Sequence, residues 1–73
     1  MKIYVVLQDM EDEKPTVFAK FYLTREQARA AIYETWLTED GARIADESRD
    51  HVSIAFDVDT EPCLTCEIVE IEG

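Results

Sequence analysis

The stretch Thr24-Arg25-Glu26-Gln27-Ala28-Arg29-Ala30-Ala31-Ile32-Tyr33-Glu34-Thr35-Trp36 decides the fold. Thr24 followed three residues later by Gln27 has the capping-box form. In it, the two side chains satisfy backbone N–H groups that a helix start leaves without partners. Leu23 stands just before the cap, where it can meet Ala28 as a small hydrophobic staple. Ala28, Ala31, Ile32 and Trp36 recur at spacings of three and four, giving one apolar stripe, while Arg25, Glu26, Arg29 and Glu34 fall off it. Gly41, after Glu39-Asp40, suits the residue just past a helix end, so the predicted helix spans about 25–39. One such helix can cover only one face of one sheet, and the flanking segments must supply that sheet.

They read as strands. Residues 2–8 alternate, with Ile3, Val5 and Leu7 on one side and Tyr4, Val6 and Gln8 on the other. Residues 9–15 are polar, carry four carboxylates and end in Pro15, as a loop does. Alternation resumes over 16–23, giving a first hairpin with a long turn. Residues 42–50 fit either a loop or one short helical turn. From His51, Val52, Ile54, Phe56 and Val58 point one way, Thr60-Glu61-Pro62 marks a turn, and residues 63–72 close with a strand of mixed parity. A bulge or burial on both faces would explain that mixture. The expected architecture is α+β: a single domain over 1–73 with a four-stranded antiparallel sheet (ββαββ) and one amphipathic helix packed on one face. The face carrying Ile3, Val5, Leu7, Val17, Phe21, Leu23, Val52, Ile54, Phe56 and Val58 is the more apolar, and is expected under the helix. That leaves Tyr4, Val6, Phe18 and Tyr22 on the open side as a dimer or partner patch.

A chain of 73 residues folds near the lower size limit and has little room for an enclosed substrate cavity. Hydrophobic residues make up 47% of it, which excludes disorder despite the charge. Seventeen acids against seven bases give a net charge of −10. Such a chain repels nucleic acid and anionic membrane and attracts basic partners. The apolar run after Lys2 is too short for a signal segment or a membrane span, so a cytoplasmic location is expected.

Charge is also unevenly placed. Residues 1–49 hold ten acids and all seven bases; residues 50–73 hold seven acids and no base. Asp57, Asp59, Glu61 and Glu67 therefore belong to a purely negative second hairpin, and Asp9, Glu11, Asp12 and Glu13 form a negative loop. Carboxylates two apart on a strand lie about 6.6 Å apart, so rows of them imitate a phosphate backbone toward a Lys/Arg groove. These eight acids are the candidate partner-binding surface, the partner being a basic protein surface of a nucleic-acid-binding complex. A solvated acidic coat that keeps a small domain soluble is the plainer reading.

The remaining motifs carry less chemistry. Cys63-Leu64-Thr65-Cys66 is followed by strand, whereas a redox C-x-x-C opens a helix that lowers the thiol pKa. As a zinc site Cys63 and Cys66 supply two of four ligands, and strand residues three apart point to opposite faces. Small buried hydrophobes describe them better. His51 near Ser48 and Ser53 gives no sequence reason for a nucleophile–base hydrogen bond or an oxyanion hole. The acids at 57, 59 and 61 lack the glycine and length of an EF-hand loop. With only Gly41 and Gly73, no phosphate-binding glycine loop exists, and neither an enzyme nor a cofactor is expected.

Three segments, Met1-Lys2-Ile3-Tyr4-Val5-Val6, Phe21…Thr24-Arg25-Glu26-Gln27-Ala28 and Glu67-Ile68-Val69-Glu70-Ile71-Glu72, resemble small phage and prophage proteins built from a hairpin, a helix and a closing strand. Acidic, non-enzymatic members of that group include anti-CRISPR and other host-defence inhibitors. The resemblance implies inhibition by binding.

Overall fold

The helix begins where the capping box places it. In the computed structural model, which describes residues 1–10, 13–56 and 64–72, α1 spans Arg25–Trp36. Thr24 adopts an extended conformation and its Oγ1 accepts from the Gln27 N–H at 3.1 Å. Gln27 reaches back one residue beyond the cap, its Oε1 accepting from the Leu23 N–H at 3.0 Å. Leu23 itself stays half-exposed at 52%. The helix stops three residues earlier than its pattern suggests. Thr35 and Thr38 turn their hydroxyls onto the carbonyls of Ala31 and Glu34, a competing bond that loosens a helix. Bonds three residues long, from Glu39 N–H to Trp36 and from Ala42 N–H to Glu39, then wind the chain out of the helix. Gly41 is a residue of this exit, with φ at +81°, and does not follow the helix directly.

Five strands follow: β1 Lys2–Met10, β2 Thr16–Val17, β3 Arg43–Ser48, β4 His51–Ala55 and β5 Leu64–Glu72. They form one antiparallel sheet in the order β2-β1-β5-β4-β3. The four-stranded expectation is thus corrected to five. The ambiguous segment 42–50 is the edge strand β3 and its tight turn into β4, with a register shift between Ile44 and Asp46. The strand expected over 16–23 shrinks to Thr16–Val17 plus an isolated bridge between Tyr22 and Tyr4. Phe18 N–H bonds to the Val6 carbonyl and Tyr22 N–H to that of Tyr4, so Ala19, Lys20 and Phe21 together oppose Val5. That surplus bulges the strand out of the ladder.

The core lies between the sheet and the Ala28/Ile32 side of α1. Val6, Ile32, Val52, Ile54, Leu64 and Cys66 are sealed from solvent, with Tyr4, Ala28 and Ile68 beside them. Trp36 caps one end, its ring edge-on to Phe56 at 5.8 Å between centroids and its Nε1 donating to Gln8 Oε1 at 3.0 Å. The expected face is right for Val52, Ile54 and Phe56 and inverted for the first hairpin. Tyr4, Val6, Phe18 and Tyr22 lie in or against the core, so the partner patch placed on them is withdrawn. The physical cause is register: Val6 pairs with Ile68 and Tyr4 with Glu70, and a one-residue parity change moves every side chain to the opposite face. Tyr4 suits the inner position because its hydroxyl escapes to Glu70 Oε1 at 3.1 Å, while Arg25 stacks on its ring at 5.0 Å. The turn at 60–62 and the candidates Glu11, Asp12, Asp57, Asp59, Glu61 and Cys63 lie outside the described residues. Among the described residues, no helix is long and apolar enough to cross a membrane.

Candidate functional site

Residues paired directly across strands share a face, so the register defines the side of the sheet that α1 leaves open. Ile3 sits beside Ile71 and Val5 beside Val69; Leu7 lies between Val17 of β2 and Glu67 of β5. Tyr22 pairs with Tyr4 on the core side, while Phe21 belongs with Ala19 and Lys20 to the surplus that bulges out of the ladder. Phe21, Val17 and Ile71 are 61%, 55% and 43% exposed, and Ile3, Val5, Leu7 and Val69 are half-buried. No described residue forms a second layer over them. Toward one end the face turns polar, with Asp9 beside Thr65 and Glu67 beside His51.

Three of the eight predicted acids are among the described residues. Asp9 and Glu67 are exposed and occupy neighbouring strands of this open face; Glu13 is exposed in the turn after β1. Asp9 and Glu67 are diagonal neighbours, roughly 7–8 Å apart by strand geometry. Sequence reasoning missed the acids that hold the molecule together. Asp50 Oδ1 accepts from Arg25 Nε at 2.7 Å, Glu70 lies 3.4 Å from the same guanidinium, and Glu47 accepts from both Arg29 and Tyr33. These partners are distant in the chain, so no local pattern pairs them.

The arginines gather at the N-terminal end of α1. Arg25, Arg29 and Arg49, with Tyr4 and Glu26, line a cleft of about 420 Å³. Arg29 also donates to the carbonyls of Ser48 and Arg49, clamping the β3–β4 turn to the helix. The Tyr33 hydroxyl and the Arg29 guanidinium hold the Glu47 carboxyl below its ordinary value, against the opposing effect of burial. Burial and the bond to Glu70 raise the Tyr4 phenol.

His51 and Ser53 are two apart on one face of β4, and Ser53 Oγ lies 2.7 Å from His51 Nε2. The hydrogen bond not expected between neighbouring positions is therefore present. Ser53 is only 5% exposed and also lies 3.5 Å from Thr65 Oγ1, which makes His51, Ser53 and Thr65 a short polar chain across β4 and β5. Cys66 is a core residue: burial pushes its thiol up to about 11, which disfavours the thiolate that metal binding and exchange chemistry need. Comparison of the chain with protein-family models, with curated proteins and with solved structures finds no match in any of the three.

Proposed function

We propose that this protein is a non-enzymatic binding protein, presenting carboxylates to a basic surface of a nucleic-acid-handling complex and inhibiting that complex by occupying its groove. The observation that carries this reading is the division of labour among charges. Arg25 and Arg29 are engaged by Asp50, Glu70 and Glu47, whereas Asp9, Glu13 and Glu67 stand exposed on a chain of net charge −10. Seventeen acids against seven bases leave ten carboxylates in excess, so the molecule meets its surroundings as an anion. Asp57, Asp59 and Glu61 extend the same acidic set in the sequence. A phage or mobile-element origin and an anti-CRISPR role belong to this proposal as its most specific form.

The test is capture from a bacterial lysate on immobilised protein, followed by mass spectrometry and elution with duplex DNA. The expected result is retention of nucleic-acid-binding proteins that duplex DNA releases. A variant carrying Asp9→Lys, Glu13→Lys and Glu67→Lys should lose them while keeping its circular dichroism spectrum. Retention indifferent to both DNA and charge reversal would overturn the reading.

A further inference from the structure

We propose that the cleft at the N-terminal end of α1 is a binding site for a small phosphate monoester, with Arg49 as the guanidinium that the fold leaves free for the ligand. The proposal is independent of the acidic-surface reading, since it rests on bases and on a concave site.

Placement of charge is the first observation. The chain holds seven bases against seventeen acids, yet three of the seven, Arg25, Arg29 and Arg49, line this one cleft. Among the described residues, Glu26 is the one acid along its wall. The carboxylates that engage Arg25 and Arg29, those of Asp50, Glu70 and Glu47, do not line it. They fix two guanidiniums without entering the cleft. A guanidinium carries five N–H donors in a rigid fork, and Arg25 spends only its Nε on Asp50 and its Nη2 on Glu70.

The second observation is what stays unengaged. Arg49 is exposed in the β3–β4 turn, and its guanidinium makes no ion pair or hydrogen bond among the described residues. It stands close enough to Tyr4 for its charge to act on the phenol, opposing burial and Glu70. At the helix start, Thr24 Oγ1 accepts the Gln27 N–H and the Thr24 carbonyl accepts that of Ala28. The N–H groups of Arg25 and Glu26, in the first turn, keep no partner among the described residues. Donors therefore meet at the cleft from the backbone and from side chains.

Size and lining are the third. A volume of about 420 Å³ lies in the range of small-molecule sites and exceeds what a bare phosphate fills. Leu23, half-exposed on the rim, offers an apolar contact to whatever body the phosphate carries. The Arg25 guanidinium, stacked at 5.0 Å on the Tyr4 ring, adds a planar wall. A phosphate monoester presents three terminal oxygens in a tetrahedron, which suits donors arriving from a helix start and from an arginine fork. A carboxylate presents two in one plane.

The probe is phenyl phosphate, titrated to about 10 mM into the wild-type chain at physiological ionic strength and followed by amide chemical shifts. Saturable shifts centred on Arg25, Glu26 and Arg49 are expected. Arg49→Ala should weaken binding about ten-fold with unchanged circular dichroism, as the loss of one charge-assisted hydrogen bond does. Lys20→Ala removes the same charge from an exposed position away from the cleft and should leave binding intact. Inorganic phosphate, which lacks a body, and benzoate, which lacks the third oxygen, should each bind more weakly. Absence of saturation overturns the proposal, as do shifts centred elsewhere or an affinity that both alanine variants lower alike. Benzoate or inorganic phosphate binding as tightly as phenyl phosphate overturns it too.

Discussion

Gly41 shows how much one residue can constrain this fold. Its φ of +81° is a conformation that side chains resist, and a Cβ built on it would lie 2.6 Å from the Phe56 carbonyl oxygen. Gly41→Ala should therefore destabilise the protein by about 1–3 kcal/mol, read as a lower urea midpoint at unchanged slope. The sequence marks this glycine as special and misplaces it by several residues, because the hydroxyls of Thr35 and Thr38 end the helix early. The inversion of the first hairpin is also a residue-scale matter. Hydropathy favours Ile3, Val5 and Leu7 for the interior. Tyr4 goes inside because its ring fills the core while its hydroxyl and the Arg25 guanidinium settle its polar tip. Such a choice depends on Glu70 and Arg25, neither of which is near Tyr4 in the chain.

At the scale of elements, α1 was legible from Thr24 to Trp36 because its cap, stripe and polar faces all agree. β3 was not, because an edge strand of Arg43-Ile44-Ala45-Asp46-Glu47-Ser48 buries almost nothing and so shows no alternation. What binds this edge to the helix is the Arg29–Glu47–Tyr33 cluster. Glu47 is held below its ordinary value of 4.5 in the fold, so its contribution is present above that pH and is lost as pH falls through the depressed folded value. Glu47→Gln should lower the urea midpoint at pH 7, and the difference from wild type should shrink as pH falls through the depressed folded value and the wild-type carboxyl takes up its proton. A difference that stays unchanged as the pH is lowered would place the effect of the substitution in packing instead.

On the scale of the whole molecule, β5 sits in the middle of the sheet, hydrogen-bonded to β1 on one side and β4 on the other. Its register with β1 joins residues as far apart as Lys2 and Glu72. The two ends of the sheet, β2–β1 and β3–β4, share no strand until β5 arrives between them. Closing so long a loop costs entropy before any contact rewards it, so folding should be slow for a chain of this size, in the millisecond-to-second range. Stopped-flow refolding by Trp36 fluorescence would measure it, with Ile68→Ala expected to slow the folding limb. The consequence reaches into synthesis. A nascent chain that has reached Ala55 already carries both hairpins, yet β1 and β4 each present an unpaired edge to solvent or to one another. Until residues 64–72 emerge, the growing protein depends on its own negative charge, or on a chaperone, to keep those edges apart.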